Sequence, residues 1–403
     1  MIQAALPSHG SGAAGAARRR IVVVDMAVAP DSPAGSCVLA EVQGLAAHFD
    51  VTVFSERFEP SASGGIEFVR VHAPRRPVLL RYLAFHLSVP LHYLWWRLRG
   101  GRAACVQATQ GQLPGAGVCY AHFCHRAYLK HHWHKSSVRG VRRLARFATH
   151  SFNAWCEAAA MHLARLIVVP SSGLATELAA EYPAWAAKVR VIPNPVAIDH
   201  FRRPLVFDRE TQRGAHGFSG AHLVLGFMAL GDFARKGLGL LLQAMASLPV
   251  DERALLRVLV IGGQAGEIAE FRALAAQLGV AHAVCFVGMQ SDVRPFLWAS
   301  DVFAFPSAYE TFGLAVVQAA AAGLPVMVCN GLHGVEEFVV DGHNGWSIAR
   351  ERDAIMVWFG RLMAERDLLP RMAAAAVESA RPYDRQTFQA RWLLLIESLT
   401  GGA

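Results

Sequence analysis

The stretch that decides the fold is residues 305–328, FPSAYETFGLAVVQAAAAGLPVMV. An apolar run at 302–305, closed by Pro306, predicts the end of a buried strand. Gly313 precedes a run of strong helix formers, and Gly323 ends that run before more apolar residues follow. The pattern therefore predicts a strand, a loop, a helix and another strand, the repeating unit of open parallel sheets.

The loop of this unit carries chemistry suited to a phosphate and a sugar. The amides of Phe312, Gly313 and Leu314 stand at a predicted helix N-terminus, which attracts anions. Glu310 lies beside them, at the carboxyl end of a strand, where ligands bind in open α/β sheets. This combination favours a ligand with both hydroxyls and phosphates, such as a nucleotide sugar. The alternative is an ordinary strand–helix–strand unit with a surface glutamate.

A second segment supports the nucleotide-sugar interpretation. Arg235 and Lys236 follow a predicted strand at 222–229 and precede Gly237. Two adjacent cations at such a junction can hold a diphosphate, the arginine through its planar fork and the lysine as a point charge. A solvated pair at a loop tip is the alternative, and the position of the pair at the start of this half of the chain favours function.

In this order the motifs resemble those of the family 4 glycosyltransferases. Residues 310–326 resemble the E-x7-E signature, and FARKG at 233–237 resembles the donor-phosphate segment, in the form most similar to the lipopolysaccharide-core glucosyltransferase branch. VIPNP at 191–195 resembles a motif near the hinge, and residues 334–345 resemble the G-x-x-E-x3-D-G-x-x-G segment. The resemblance covers about residues 165–400 well and 20–165 weakly.

The resemblance implies roles for particular residues. The implied catalytic residues are Glu310, Arg235, Lys236 and His122. Glu310 is implied to bind the hydroxyls of the transferred sugar, and the two cations are implied to bind the leaving diphosphate. The implied donor-binding residues are Gly35, Phe312, Gly313, Leu314, Gln318 and Glu337. The second acid of the signature is replaced by Gln318, at the position that meets the ribose hydroxyls in the family. Glutamine keeps one acceptor and loses the charge.

The implied reaction is transfer of a hexose, with retention, from a nucleoside-diphosphate sugar such as a UDP sugar to a saccharide or lipid-linked acceptor. Such transfer serves bacterial surface polysaccharide or lipopolysaccharide synthesis, and it requires no metal or other cofactor. The substitution at Gln318 keeps a non-catalytic nucleotide-sugar-binding protein as an alternative. A nucleotide-sugar epimerase of the same fold is another, although it leaves the basic N-terminal half unexplained. No G-x-G-x-x-G follows the first strand, which disfavours a dinucleotide-dependent oxidoreductase.

The N-terminal half supplies candidates for the opposite wall of a cleft. Gly35 stands where the family has a glycine-rich loop near the donor phosphates, although the usual double glycine is absent. His122, His125 and Arg126 follow a predicted strand, and histidine can bond a sugar or a phosphate. His122 is the implied reaction-centre histidine, while His125 and Arg126 are acceptor or cleft candidates. Structural or solvated histidines are the alternative. A zinc site among the histidines of 122–134 is disfavoured because no cysteine or carboxylate has the usual ligand spacing.

A chain of 403 residues with 53% hydrophobic and 17% charged residues suits two globular domains. The predicted strands of the first half are 20–25, 50–54, 66–71, 103–107, 116–121, 165–169 and 188–192, and the predicted helices are 35–48, 79–98, 137–164 and 173–182. We therefore predict an α/β protein of the GT-B class, with two Rossmann-like domains whose parallel sheets face each other across a cleft. The predicted divisions are a disordered segment 1–17, an acceptor-binding domain 18–205, a donor-binding domain 206–384, and a C-terminal helix in 385–403 that packs back on the first domain.

Charge is distributed unevenly. No acidic residue occurs between Glu67 and Glu157, a window that holds 14 lysines and arginines. Within it, residues 79–99 mix leucines with tyrosine and tryptophan beside arginines, as interfacial segments do. This predicts peripheral association with an anionic membrane rather than a merely basic surface, and no nucleic-acid-binding module accompanies the charge. Seven scattered cysteines and the lack of a signal peptide or an uncharged span predict a cytoplasmic protein on the inner face of the membrane.

Overall fold

The computed structural model describes residues 18–59, 65–74, 77–135 and 140–401. The segment 1–17, for which the sequence predicts disorder, lies outside the described residues. The chain forms two separate parallel sheets, one from each half, so the predicted α/β architecture with two sheets is confirmed. All seven cysteines are unpaired and six of them are buried.

The first sheet has seven parallel strands. In spatial order they are Ile66–Arg70, Asp50–Ser55, Arg20–Val24, Cys105–Thr109, Val118–Tyr120, Leu166–Val169 and Val189–Val191. The interior strand Arg20–Val24 is fully buried from Ile21 to Val24 because helices cover both faces of the sheet. A pair of two-residue strands, Ala27–Val28 and Arg57–Phe58, lies beside this sheet.

The second sheet has six parallel strands, and it is built in the same way. In spatial order they are Val284–Gly288, Leu256–Gly262, Leu223–Ala229, Val302–Phe305, Val326–Cys329 and Gly345–Ile348. The chain order reverses its direction across the sheet between Leu223–Ala229 and Val302–Phe305. Ligands of open α/β sheets bind outside the strand ends at such a switch point.

Helices connect and cover the strands. The α-helices of the first half are Pro33–Ala46, Val78–Leu98, His125–Ala127, Gly140–Leu163 and Ser172–Glu181, and a π-helical turn covers Tyr128–His132. Those of the remainder are Ile198–Phe201, Arg209–Gly214, Phe233–Lys236, Leu238–Ala246, Val250–Leu255, Ala265–Gln277, Arg294–Ala299, Leu314–Ala321, Arg352–Ala364, Leu369–Ala380 and Arg385–Thr400. The predicted helix 137–164 is seen from Gly140, and its first residues lie outside the described ranges.

The last helix, Arg385–Thr400, returns to the first half. Phe388, Trp392 and Ile396 are buried in the core of the first sheet, and Gln389 Nε2 donates to the carbonyl of Ala40 at 2.9 Å. The final two residues of the predicted segment 385–403 lie outside the described residues. Throughout the described ranges, no helix has the length and apolar character needed to cross a membrane.

Candidate active site

One side of the site is the turn that follows strand Leu223–Ala229. Asp232 adopts a left-handed conformation with φ of 62°, which aspartate tolerates better than most residues, and helix Phe233–Lys236 begins after it. Gly237 ends that helix with φ of 87°. A Cβ there would lie 2.0 Å from the Pro306 carbonyl oxygen, so only glycine lets this turn meet the neighbouring loop.

The neighbouring loop follows strand Val302–Phe305 and brings Glu310 to the two predicted cations. Lys236 Nζ forms a short ion pair with Glu310 Oε1, and Arg235 Nη1 lies 3.8 Å from the same oxygen. Ser307 Oγ donates to Glu310 Oε1 at 2.8 Å. Arg235 is anchored at both ends of its guanidinium, with Nη1 donating to the Tyr309 carbonyl at 2.7 Å and Nε donating to Asp232 at 3.0 Å. The structure therefore brings Glu310 together with Lys236 and Arg235, which lie 74 and 75 positions before it in the sequence.

The charges in this cluster compensate one another. Burial alone would raise the pKa of the Glu310 carboxyl, but Lys236 and Arg235 hold that pKa below its usual value. Burial lowers the pKa of the Lys236 ammonium, and Glu310 opposes that shift. Asp232 pairs with Arg235, and Arg146 lies 3.7 Å from Asp232. The cluster therefore holds three cations and two carboxylates, and the remaining positive charge suits an anionic ligand.

A helix N-terminus completes this side of the site. Gly313 has φ of 84° and precedes helix Leu314–Ala321, whose first amides have no carbonyl in a preceding turn. A Cβ on Gly313 would lie 2.5 Å from Val335, so a side chain is excluded by packing as well. Phe312 is buried beneath the turn, and Leu314 packs against the cores of both halves. Among the described residues, the half-buried Gln318 side chain forms no hydrogen bond.

Glu337 contacts the other half of the molecule. Its carboxylate accepts hydrogen bonds from Ser172 Oγ at 3.2 Å and from the Gly173 amide at 3.1 Å. These groups belong to the first turn of helix Ser172–Glu181, which is capped by the Ser171 side chain. Glu337 therefore bridges the two halves in this structure, and its role as a donor-binding residue stays a prediction.

Gly35 lies in the first turn of helix Pro33–Ala46 rather than in a glycine-rich loop. Its amide donates to Ser32 Oγ at 3.2 Å, and a Cβ would lie 1.7 Å from the Ala27 carbonyl oxygen. The helix packs so closely on the segment after the first strand that only glycine fits at position 35. A role beside the donor phosphates stays a prediction.

His122 carries an unused hydrogen-bonding atom. Its Nε2 is buried without a partner in the described part of the chain, and its ring lies 4.0 Å from that of Tyr120. Burial lowers the pKa of His122 to about 3, so the imidazole is neutral near pH 7. A neutral ring with a free nitrogen can accept or donate one hydrogen bond, as the implied reaction-centre histidine would need.

His125 and Arg126 already have partners. His125 Nδ1 lies 2.9 Å from His150 Nδ1, and burial lowers the pKa of His125 to about 3. The exposed Arg126 side chain pairs with Glu181 at 3.4 Å, at the far end of helix Ser172–Glu181. The assignment of His125 and Arg126 to the acceptor stays a prediction.

The histidines of 122–134 do not converge. His131 pairs with Glu181 and His132 with Glu177, while His125 pairs with His150. Among the described residues, no group of three or more His, Cys, Asp or Glu side chains has an arrangement that could hold a metal ion.

Sequence reasoning missed three residues in and around the loop that carries Glu310. Ser307 bonds the carboxylate, Tyr309 crosses to the first half, and Glu177 receives the Tyr309 hydroxyl at 3.0 Å. Ser307 and Tyr309 stand in the quoted loop, so proximity to Glu310 was the available signal. Glu177 is 132 positions from Tyr309 in the sequence, and no sequence pattern indicated that the two residues meet.

Comparisons with known proteins agree with this geometry. Residues 208–377 match the family model for glycosyl transferases group 1, and residues 34–200 match the model for glycosyltransferase family 4. A D-inositol 3-phosphate glycosyltransferase of Corynebacterium urealyticum is 29% identical over 60% of this chain and 59% of its own length. The lipopolysaccharide core biosynthesis glycosyltransferase LpsE of Rhizobium meliloti is 32% identical over 42% and 49%. The chain thus spans about half of the length of these curated relatives.

Solved structures share the fold along nearly the whole chain. WaaG, a glycosyltransferase involved in lipopolysaccharide biosynthesis, superposes with a TM-score of 0.75 at 18% identity, covering 95% of this chain and 100% of that one. Anabaena Alr3699/HepE in complex with UDP superposes with a TM-score of 0.70 at 18% identity, covering 94% and 100%. The two family models together cover most of the chain, and the sheets have the arrangement of these structures. The protein therefore belongs to the group 1, family 4 glycosyltransferases of the GT-B fold.

Proposed function

We propose that this protein is a retaining hexosyltransferase that uses a nucleoside-diphosphate sugar, with UDP as the first nucleotide to test. Its acceptor is a hydroxyl of a saccharide or lipid-linked saccharide in bacterial surface polysaccharide or lipopolysaccharide synthesis. The observation that carries the proposal is the meeting of Lys236, Arg235 and Glu310 beside the N-terminus of helix Leu314–Ala321. The relatives that act in lipopolysaccharide synthesis support the acceptor class.

The cluster suits the charge changes of glycosyl transfer. The bond between the anomeric carbon and the β-phosphate oxygen breaks, and a bond to the acceptor oxygen forms on the same face of the sugar. The acceptor proton passes to the departing phosphate. Lys236, Arg235 and the amides after Gly313 stabilise the negative charge that grows on the diphosphate, and Glu310 orients the sugar hydroxyls. The closed cleft excludes water, which would otherwise hydrolyse the donor.

Glu310→Ala and Lys236→Ala test the two parts of this mechanism separately, binding of the sugar and binding of the diphosphate. We expect Glu310→Ala to abolish transfer while the Kd for UDP stays within about 3-fold, because the carboxylate serves the sugar. Lys236→Ala should weaken UDP binding by at least 10-fold, because one charge-assisted contact is worth about 1.5–3 kcal/mol. Thermal shift with UDP, UDP-glucose, UDP-galactose and GDP-mannose selects the donor, and transfer to a membrane lipid extract is then followed as nucleotide release. Unchanged turnover in Glu310→Ala would contradict the assignment.

A non-catalytic nucleotide-sugar-binding protein is the second candidate, and Gln318 is the observation that favours it. Such a protein would show a thermal shift with a donor sugar but no nucleotide release in the presence of acceptor extract. Release that depends on the extract distinguishes the transferase. Conversion of the donor sugar without an acceptor would indicate an epimerase instead.

We also propose that the first half binds the inner face of the cytoplasmic membrane peripherally. Helices Val78–Leu98 and Gly140–Leu163 contact each other through His86 and Phe152, whose rings are 5.2 Å apart. We call their outer surface the apolar–basic face. Its exposed apolar residues are Leu87, Leu91, Leu94, Trp95, Leu98, Val141, Leu144 and Trp155. On the first helix these residues fall at intervals of three and four, so they form one stripe, and the basic residues around it suit anionic headgroups.

Liposome flotation tests the apolar–basic face. We expect Leu91→Glu to reduce binding to vesicles of phosphatidylglycerol and phosphatidylcholine by at least 10-fold, because Leu91 is 67% exposed and its burial in lipid is lost. Leu394→Glu is the matched control, since Leu394 is 66% exposed on another helix. Reversal of Arg142 and Arg143 should remove the preference for anionic lipid. Arg146 is unsuitable for this test because it lies 3.7 Å from Asp232 in the candidate site. Equal binding by Leu91→Glu and wild type would contradict the proposal.

A further inference from the structure

Helix Ser172–Glu181 of the first half contacts both sequence neighbours of Glu310. The Tyr309 hydroxyl donates to Glu177 Oε2 at 3.0 Å, and Ser171 Oγ donates to the Thr311 carbonyl at 2.7 Å. Within the part of the chain that the structure describes, the Glu310 carboxylate forms hydrogen bonds and ion pairs only with Lys236, Arg235 and Ser307, all of its own half. The position of this carboxylate therefore depends on the first half through the residues on either side of it.

The Tyr309 ring fills an aromatic pocket of the first half. Ring centroids lie 4.4 Å from His132, 5.5 Å from Phe123 and 5.5 Å from Tyr128, and Tyr309 is only 5% exposed. Burial and the Glu177 carboxylate raise the pKa of the Tyr309 phenol well above its usual value, so the phenol is the donor and the carboxylate the acceptor. A buried phenol of this kind needs its partner, because an unpaired hydroxyl in the closed cleft would be costly.

Glu177 is held in place by groups from both halves. Its Oε1 lies 3.3 Å from His132 Nε2 of the first half, and its Oε2 lies 3.8 Å from His333 Nε2 of the second. Its side chain is only 9% exposed. The Glu177 carboxylate can therefore accept the hydrogen bond from the Tyr309 phenol only while the two halves are together.

We infer that Tyr309 and Glu177 are positioning residues that couple closure of the cleft to the orientation of Glu310. The inference rests on the proposed function, in which Glu310 orients the transferred sugar. When the halves separate, the phenol leaves its pocket and the carbonyl of Thr311 loses Ser171, so the loop around Glu310 loses both anchors. The site is then complete only when the cleft is closed and water is excluded, which protects the donor from hydrolysis.

Tyr309→Phe removes only the hydroxyl and tests the inference directly. With UDP-glucose and acceptor extract we expect kcat for UDP release to fall at least 10-fold, while the Kd for UDP and the KM for UDP-glucose stay within about 2-fold. Glu177→Ala should give the same loss, and the double variant should be no worse than either single variant. Glu177→Gln keeps an acceptor oxygen for the phenol and should retain most of the activity.

Tyr182→Phe is the matched control. The Tyr182 hydroxyl also donates to a buried carboxylate, Glu157 Oε1 at 2.9 Å, but both residues belong to the first half. A purely structural effect of losing a buried phenol would appear equally in both variants. The inference is overturned if Tyr309→Phe keeps the wild-type kcat, or if Tyr182→Phe loses as much.

Hydrogen exchange of the UDP-bound protein gives a readout besides activity. We expect the amides of 310–312 to exchange at least 10-fold faster in Tyr309→Phe than in wild type or in Tyr182→Phe. Equal exchange in all three proteins overturns the inference. If wild type neither binds UDP nor releases it from UDP-glucose, the proposed function fails instead, and exchange of the unliganded protein still tests the contact.

Discussion

At the scale of single residues, we expect Gln318 to affect how tightly the nucleotide is held. It lies on helix Leu314–Ala321, one turn beyond the amides at the helix start, and its side chain is half-buried. An amide oxygen makes a neutral hydrogen bond to a ribose hydroxyl, whereas a carboxylate makes a charge-assisted one that is worth about 1 kcal/mol more. We therefore expect Gln318→Glu to tighten UDP binding about 5-fold and Gln318→Ala to weaken it by a similar factor. Isothermal titration with UDP measures both.

Gln243→Glu controls for the added charge, because Gln243 is exposed on helix Leu238–Ala246 of the same half. Its Kd for UDP should equal that of wild type. If Gln318→Glu and Gln318→Ala both bind UDP like wild type, Gln318 does not contact the ribose, and the carry-over of that role from the family is wrong.

The sequence predicted which charged residues meet but not what positions them. Arg235, Lys236 and Glu310 stand in motifs at strand ends, and parallel strands bring their carboxyl ends to one edge. The pairing of Tyr309 with Glu177 depends instead on how the two halves close. No local spacing encodes that contact, since it joins residues that are 132 positions apart and belong to different halves of the molecule.

At the scale of elements, the segment from the strand Val118–Tyr120 to helix Gly140–Leu163 makes the first half sensitive to acid. Burial lowers the pKa of His122 and His125 to about 3 and that of His150 to about 4. In the unfolded chain these rings take up protons below about pH 6.5, whereas in the folded protein they stay neutral. The contribution of these three rings to stability is therefore complete above pH 6.5 and is lost as the pH falls toward 4.

His150→Gln should reduce that loss. Burial also raises the pKa of Glu157 to about 7, which opposes this loss, so the test compares the variant with wild type. Between pH 7 and pH 5 the destabilising change in the free energy of unfolding should be about 1–2 kcal/mol smaller in the variant, whatever its stability at pH 7. Urea unfolding at the two pH values measures the difference. His48→Gln, at an exposed position, should keep the wild-type fall. A full wild-type loss in His150→Gln would show that this ring takes up its proton in the folded state.

Strands and long helices were predictable, whereas short helical turns were not. The predicted strand 66–71 is Ile66–Arg70 and the predicted helix 79–98 is Val78–Leu98, because parallel strands and amphipathic helices have sustained patterns. Helix Phe233–Lys236 and the π-helical turn Tyr128–His132 were missed. Helical turns of four or five residues have too little periodic pattern of their own, and tertiary contacts decide them.

At the scale of the whole molecule, the chain end ties the two halves together. Helix Arg385–Thr400 follows the second sheet in sequence but covers the first, where Trp392 packs among Ile21, Val38 and Tyr120. The Trp392 and Tyr120 ring centroids are 5.0 Å apart. The first half therefore lacks part of its core until helix Arg385–Thr400 is in place.

Trp392→Ala should accordingly destabilise the first half although it lies at the end of the chain. Loss of a fully buried tryptophan is expected to lower the free energy of unfolding by about 3–5 kcal/mol. Leu394→Ala, two residues further along the same helix and exposed to solvent, should cost less than about 0.5 kcal/mol. Hydrogen exchange measured as the temperature is raised should show faster amide exchange first in strands Arg20–Val24 and Cys105–Thr109, because these strands lie beneath the helix. If exchange increased only in the second sheet, the helix would stabilise its own half and the chain end would not join the two.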